Sequence, residues 1–171
     1  QTEYAWLVDL WKKVTNRHSG LVLIQGEAGV GKTRLVEEFG RYAAIQGGRI
    51  LQGRCYEFSG PLPYQPIAAA LQTQITQIET QRLSLDEDWG IELAQLLPEI
   101  RLQWGNQSPS LPGNQGADRY RLFEAVAQFL RALAAKQPVL FFLDDLHWAD
   151  VDTLDLLGYL VRRLATTPVL M

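Results

Sequence analysis

The sequence is poor in cysteine and has no apolar run long enough to cross a bilayer. Its one cysteine, Cys55, has no second thiol in the chain with which to form a disulfide. The sequence also shows no signal-peptide pattern. We therefore expect a cytoplasmic protein that has no contact with membranes. Cys55 follows a strand-like run, and we interpret it as a small buried hydrophobe with no chemical role.

The chain also has no excess of positive charge. Its 16 Lys and Arg residues are outnumbered by 19 Asp and Glu residues, for a formal net charge of −3. Proteins that hold DNA through its phosphates carry strong basic patches, so we expect no direct nucleic-acid binding. The Asn-Lys-x-Asp pattern that reads guanine is missing as well, which disfavours a GTPase. The length of 171 residues and the 47% apolar content suit one ordinary globular domain.

Short apolar runs that alternate with amphipathic segments predict an α/β fold with a mainly parallel sheet. A short apolar run closed by glycine is typical of a strand buried on both faces, whereas apolar residues at a spacing of 3.6 predict a helix. Right-handed crossovers between such strands give three layers, α-β-α. The predicted strands are 21–24, 49–55, 139–143 and 168–171, and the main predicted helices are 3–14, 35–43, 118–136 and 154–164.

A helical insertion is predicted between the second and third strands, at about 64–104. Helical spacing recurs from Ile67 to Ile78 and again after Ser84, where Glu87 completes a capping box. Residues 105–116 have no apolar periodicity and many turn-forming residues, which predicts an exposed flexible loop. The last apolar run stops as a fourth strand begins. We therefore expect 1–171 to be part of a domain that is cut in or after its fourth strand.

The string Gly26-Glu-Ala-Gly-Val-Gly-Lys-Thr33 matches the pattern G-x-x-x-x-G-K-[ST] of a phosphate-binding loop (P-loop, or Walker A). It lies between a predicted strand and a predicted helix, which is the context that such a loop requires. Glycines let backbone N–H groups turn toward phosphate oxygens, and the positive end of the next helix adds to the attraction. Lys32 would reach the β and γ phosphates, and the Thr33 hydroxyl would bind Mg2+. We predict nucleotide contacts from Gly26, Glu27, Ala28, Gly29, Val30, Gly31, Lys32, Thr33 and Arg34.

A second signal is the apolar strand that ends in Asp144-Asp145, the Walker B pattern. An acid at this edge of the sheet holds Mg2+ through water, so Asp144 joins Thr33 as a candidate metal ligand. Asp145 follows it and is predicted to orient or deprotonate the attacking water. Lys32 and Asp145 are thus the predicted catalytic residues. A glutamate is more usual at the second position, so slow hydrolysis or a purely structural Asp145 stays open.

Together, Gly26–Leu35 and Leu143-Asp-Asp-Leu-His-Trp-Ala-Asp150 resemble the STAND class of P-loop ATPases, the signal-transduction ATPases with numerous domains. The strings Gly53–Glu57, Pro63–Pro66 and Asp118–Phe123 extend the resemblance over most of the chain. The resemblance implies a three-layer P-loop NTPase fold and a switch that rests with ADP, is active with ATP and Mg2+, and forms homo-oligomers. It also implies a lid, a winged helix, helical repeats and an effector domain elsewhere in the polypeptide. The adenine-side segment and the γ-phosphate-sensing arginine of this class are not found within 1–171.

The residues leave three other functions open. A DNA-processing or replication-initiation ATPase of the AAA+ or origin-recognition type shares the loop and the acidic strand, although the low basic content argues against it. The second function is that of a module that binds nucleotide without hydrolysing it, and the aspartate at position 145 favours this function. A kinase of small molecules is the third, because substrate pockets on this fold leave little trace in a sequence.

Several further side chains are expected to have structural roles. Arg54 and Tyr64 are expected to be solvated or packed rather than to contact the nucleotide. His147 and Trp148 follow the metal-side acids and could shape the site, but packing in the turn after the third strand explains them at least as well, and His147 is not proposed as a ligand. Arg162 and Arg163 lie near a helix C-terminus, where a favourable interaction with the helix dipole explains them more simply than contact with the nucleotide of a neighbouring subunit.

Overall fold

A computed structural model gives the fold and describes residues 2–57, 63–78, 85–100 and 115–171. Helices separate successive strands along these residues, as the sequence predicts for an α/β protein. The helices are α1 (Thr2–Thr15), α2 (Lys32–Ile45), α3 (Gln65–Ile78), α4 (Glu87–Leu93), α5 (Gln115–Ala134) and α6 (Val151–Arg163), and the strands are β1 (Arg49–Arg54), β2 (Val139–Asp144) and β3 (Val169–Leu170). Short 3-10 turns cover Pro98–Ile100 and Leu146–Trp148.

The three strands form a parallel sheet in the order β1-β2-β3. β1 pairs with β2 along its whole length, from Arg49 opposite Val139 to Arg54 opposite Asp144. Parallel strands need long crossover connections, and helices α3, α4 and α5 lie in the connection from β1 to β2. The predicted parallel sheet is confirmed for the described residues.

The predicted first strand, 21–24, is wrong as a regular strand. Gly20 forms a single parallel bridge with Leu170, and the Val22 N–H donates to the Met171 carbonyl oxygen at 2.7 Å. Within the described residues, the backbone of this segment makes no ladder hydrogen bond beyond Val22. Leu23 is 72% exposed, although its sequence pattern predicts burial. The segment still runs parallel to β3 and leads into residues 26–33 at the C-terminal edge of the sheet.

Alternate residues of the strands face two different cores, as the period of two requires. Leu51 and Phe141 pack with α3, α5 and α6 on one face. Ile50, Leu140 and Leu170 pack with α1 and α2 on the other face. The sheet is therefore the middle layer between two layers of helices.

Two predicted boundaries need correction. α4 begins at Glu87 with Asp86 at the N-cap position, and Ser84 of the predicted capping box lies outside the described residues. Asp86 makes no side-chain cap, and burial of Leu93 against the core is what fixes this helix. α5 begins at Gln115, so the last two residues of the predicted loop 105–116 are helical, and 105–114 lie outside the described residues.

Glu124 on α5 joins that helix to α6 through an ion pair with Arg163 and a hydrogen bond with Tyr159. Its carboxylate accepts hydrogen bonds from Arg163 at 2.8 and 3.0 Å and from Gln128 at 2.7 Å, and the Tyr159 hydroxyl also donates to it. The hydrogen bonds from Arg163 lower the pKa of Glu124 to about 2. Arg163 thus has a partner within its own chain and is not explained by the helix dipole alone.

Replacing Glu124 with glutamine is expected to lower the free energy of unfolding by about 2 kcal/mol at pH 7, because a nearly buried, charge-assisted hydrogen bond is lost. Since the folded pKa lies below the unfolded value, this contribution is fully present above about pH 4.5 and disappears as the pH falls toward 2. Urea unfolding at pH 7 and at pH 3 measures the difference. The exposed Asp9–Lys12 pair is the control, and Asp9→Asn should change stability by less than about 0.5 kcal/mol at either pH.

Candidate functional site

The loop before α2 has the backbone of a phosphate-binding loop. Gly29 and Gly31 have φ angles of 80° and 99°, a region that side-chain-bearing residues rarely adopt. A Cβ added at either position would meet nothing within 4 Å, so glycine is required here by backbone conformation and not by space. Gly31 is the N-cap of α2 and supplies no side-chain cap. The first N–H groups of α2 are therefore left for an anion.

The Lys32 side chain folds back over this loop. Its Nζ donates to the carbonyl oxygens of Gly26 and Glu27 at 2.9 and 2.8 Å. An ammonium group has three donors, so one remains after these two contacts. The ammonium is thus held beside the loop backbone, with capacity to bind an oxyanion.

Thr33 and Arg34 differ in how their side chains are engaged. Thr33 is exposed in the first turn of α2, and its hydroxyl has no hydrogen-bond partner among the described residues. Arg34 points along the helix instead, where its Nε donates to Glu38 Oε1 at 3.0 Å. The geometry therefore leaves the Thr33 hydroxyl available to a ligand and engages the Arg34 guanidinium elsewhere.

Asp144 and Asp145 lie where β2 ends, at the same edge of the sheet as the loop. Oδ1 of Asp144 accepts a hydrogen bond from the Asp145 backbone N–H at 3.0 Å, and the described residues offer Asp144 no cationic partner within ion-pair distance. Asp145 has a left-handed backbone, with φ 55° and ψ 41°. Because parallel strands end at one edge, the order β1-β2-β3 brings both acids and residues 26–33 to that edge.

Arg54, at the end of β1, forms an ion pair with Asp145. Its Nε and Nη2 lie 2.9 and 2.8 Å from Oδ2 of Asp145. This hydrogen bond, together with the negative charge of Asp145, raises the pKa of the Arg54 guanidinium. Arg54 was expected to be solvated or packed, and this ion pair was not predicted. The sequence shows only that two strands end in Arg54 and in Asp144-Asp145, and the contact depends on the register between those strands.

An apolar groove with a volume of about 420 Å3 lies beside the loop, between α1 and the extended segment that precedes Gly26. Trp6, which is 56% exposed, forms one wall. The remaining lining combines apolar residues with a few polar ones: Thr2, Glu3, Leu7, Val22, Leu23, Ile24, Gln25 and Leu35. Leu35 belongs to the first turn of α2, so the groove reaches the loop directly.

The structure tests the other interpretations of single residues. Cys55 is buried, and burial raises the pKa of its thiol to about 11, which confirms its interpretation as an inert hydrophobe. Tyr64 is buried and contacts Phe123 edge to face, as a packing role predicts. His147 and Trp148 are exposed, so the prediction that they pack in the turn is wrong. Their rings contact each other instead, with centroids 4.9 Å apart.

The oxygen donors at this edge fit a magnesium ion of the kind that accompanies a nucleotide. Mg2+ prefers oxygen ligands and usually takes only one or two from the protein, with the rest from water and phosphate. The Thr33 hydroxyl and the Asp144 carboxylate are donors of this type. Among the described residues, this edge included, no group of three or more His, Cys, Asp or Glu side chains is arranged to hold a metal.

Among the helices that the structure describes, none has both the length and the apolar character to span a membrane.

A glycine-rich loop that caps a helix, a lysine held over it and an acid at the end of a parallel strand define a P-loop ATPase module. The chain belongs to the AAA ATPase domain family, whose model matches residues 1–171. An uncharacterised protein of Rhizobium meliloti (strain 1021), R02095, is 27% identical over 180 residues, and the match covers 100% of this chain and 18% of that relative. The chain therefore spans less than a fifth of the relative's length. No solved structure matches the chain.

Proposed function

We propose that the protein is the ATP-binding and ATP-hydrolysing module of a multidomain regulatory protein, a nucleotide-dependent switch of the STAND class that acts in signal transduction or transcription regulation. The conformation of residues 26–33, with the Lys32 ammonium held against the loop, is the observation that carries the proposal. The resemblance of the two motifs to the STAND class supports the regulatory role. The partners proposed are the nucleotide, other domains of the same polypeptide and further copies of the protein.

In this proposal the loop N–H groups and Lys32 bind the phosphates of ATP, while Thr33 and, through water, Asp144 bind the accompanying magnesium. Bound Mg2+ would neutralise charge on the β and γ phosphates. Asp145 orients the attacking water and accepts its proton. The Glu27, Ala28, Val30 and Arg34 positions contribute through their backbone N–H groups. The Arg34 side chain already pairs with Glu38, and the Val30 N–H would exchange its long contact with the Glu27 carbonyl oxygen, 3.5 Å, for phosphate.

The test is ATP binding and phosphate release by the full-length protein, measured with and without Mg2+. We expect binding of ATP and ADP in the micromolar range, weaker binding of GTP, and phosphate release that requires Mg2+. A protein that binds neither ATP nor ADP would refute the proposal.

A second candidate is a module that binds nucleotide without turnover. The ion pair between Arg54 and Asp145 favours it, because the pair already engages one oxygen of the carboxylate that would act on the attacking water. ATP binding with no phosphate release in the full-length protein would establish this candidate in place of the first.

The groove beside α1 is the proposed site of the base. Aromatic and aliphatic walls with a few polar groups are typical of a nucleobase pocket, and the groove adjoins the loop at Leu35. Replacing Trp6 with alanine is expected to weaken ATP binding about tenfold, because stacking on an aromatic ring stabilises a bound base by about 1–3 kcal/mol. Calorimetric titration of the variant with ATP measures the loss.

Inorganic tripolyphosphate has no base and should bind the Trp6→Ala variant and the unaltered protein equally. Ile45→Ala is the matched control, since Ile45 is an exposed apolar residue at the far end of α2. Equal losses for ATP and tripolyphosphate would contradict the assignment of the base to this groove.

A further inference from the structure

The contact between Arg54 and Asp145 is one-sided. Both guanidinium nitrogens approach the same carboxylate oxygen, Oδ2, at 2.9 and 2.8 Å. Among the described residues, none donates a hydrogen bond to the other oxygen, Oδ1. An ionised carboxylate has acceptor capacity on both oxygens, so this arrangement fixes the group through one oxygen and leaves the second open.

The backbone of Asp145 is fixed as well. Its left-handed conformation is uncommon for a residue with a side chain, and such conformations cluster at functional sites. Its N–H donates to Oδ1 of Asp144 at 3.0 Å. Asp145 is thus held to the metal-side acid through its amide and to Arg54 through its carboxylate, which makes the three residues one connected unit.

Arg54 is supported by a rigid part of the fold. It lies opposite Asp144 in the β1–β2 register, and the next backbone N–H, that of Cys55, donates to the Asp144 carbonyl oxygen at 3.0 Å. The preceding residue is glycine because a Cβ at Gly53 would lie 2.0 Å from the Pro66 carbonyl oxygen at the start of α3. The backbone that carries Arg54 is therefore held between β2 and α3.

The exposure of the pair argues against a role in stability. The Arg54 side chain is 57% exposed and that of Asp145 is 32% exposed. Ion pairs in contact with solvent contribute little to the free energy of folding. The Arg54 guanidinium also lies 5.8 Å from the centroid of the exposed Tyr56 ring, so neither of its described partners is a buried group.

We infer that Arg54 is a positioning residue for ATP hydrolysis: it holds Oδ2 of Asp145 so that Oδ1 is presented to the attacking water. This inference rests on the proposed function. The water oxygen bonds to the γ phosphorus as the bond from that phosphorus to the β–γ bridging oxygen breaks, and ADP leaves with the bridging oxygen. The proton lost by the water passes to Oδ1 of Asp145 and then to solvent, which leaves ADP and inorganic phosphate.

The test is a double-mutant cycle in the full-length protein, with Arg54→Ala, Asp145→Asn and the double variant. We expect Arg54→Ala to lower kcat about tenfold or more and to leave the Kd for ATP within about twofold, since Arg54 acts through Asp145 and not on the nucleotide. In the Asp145→Asn background, Arg54→Ala should have no further effect. Arg54→Lys should restore part of the loss, because one ammonium donor can replace one of the two guanidinium contacts.

Arg41→Ala is the matched control. Arg41 is an exposed arginine on α2 with a distant pair to Glu37, and its removal should leave kcat unchanged. A rise in kcat for Arg54→Ala would overturn the inference, since it would mean that the pair restrains Asp145. An equal fall in both backgrounds, or a weaker Kd for ATP, would overturn it too, since Arg54 would then act on the nucleotide.

The failure of this inference is distinguishable from failure of the proposed function. Absence of phosphate release by the unaltered protein would overturn both before any variant is compared. Phosphate release by the unaltered protein, combined with independent effects of the two substitutions, would overturn only the role of Arg54.

Discussion

Replacing Lys32 with alanine is expected to abolish measurable ATP binding. The substitution removes the one cation held at the loop, together with its hydrogen bonds to the Gly26 and Glu27 carbonyl oxygens. A charge-assisted hydrogen bond to phosphate is about twice as strong as a neutral one. With the electrostatic attraction of the ammonium lost as well, the Kd should rise at least a hundredfold, or by about 3 kcal/mol. Calorimetric titration with ATP and Mg2+ measures it.

Lys13→Ala is the control for this substitution. Lys13 is an exposed lysine on α1, so its removal should leave the affinity for ATP unchanged. The Tm of the Lys32→Ala variant should be close to that of the unaltered protein, since the lost contacts lie at the surface of the loop. Unchanged affinity for ATP in a folded Lys32→Ala variant would remove the basis for assigning phosphate binding to residues 26–33.

Replacing Asp145 with asparagine is expected to lower turnover by about a hundredfold or more while the Kd for ATP is retained. Asparagine has the same shape and keeps an oxygen for Arg54, but it does not accept a proton from water. General-base catalysis contributes about 10²–10⁴ to enzymatic rates, which sets the size of the expected loss. Single-turnover phosphate release, with ATP binding measured separately, gives the two quantities.

Asp155→Asn is the matched control for Asp145→Asn. Asp155 is an exposed aspartate on α6 that shares Arg119 with Asp152, so its neutralisation should change neither binding nor turnover. Phosphate release by Asp145→Asn at the rate of the unaltered protein would show that Asp145 has only the structural role that its pairing with Arg54 also permits.

The sequence predicted the parts of the site that depend on local backbone geometry. Glycine is the residue that tolerates the left-handed conformations found at Gly29 and Gly31, so their spacing before Lys32 predicted the loop. An apolar run that ends in acids predicted that Asp144 would lie at the end of a strand. The helices followed from their apolar spacing, because each buries one face in a core.

Features that depend on distant parts of the chain were not predictable in this way. The segment 21–24 has the composition of a buried strand, whereas within the described residues its backbone pairing with the β3 segment is limited to Gly20 and Val22. Arg54 and Asp145 are 91 residues apart, and their contact follows from the register of β1 against β2. Neither residue type nor local spacing specifies such a register.

The register itself is a consequence of the two cores on opposite faces of the sheet. If β1 shifted by one residue against β2, Ile50 and Leu51 would exchange faces, and each would leave the core in which it packs. The same shift would move Arg54 by about 3.3 Å along the strand and turn its side chain to the other side of the sheet, away from Asp145. Hydrophobic residues far from the nucleotide therefore determine the spacing between Arg54 and the two acids. Core substitutions at Leu51 or Leu140 that preserve the fold are thus a route to altering the chemistry without changing any residue of the site.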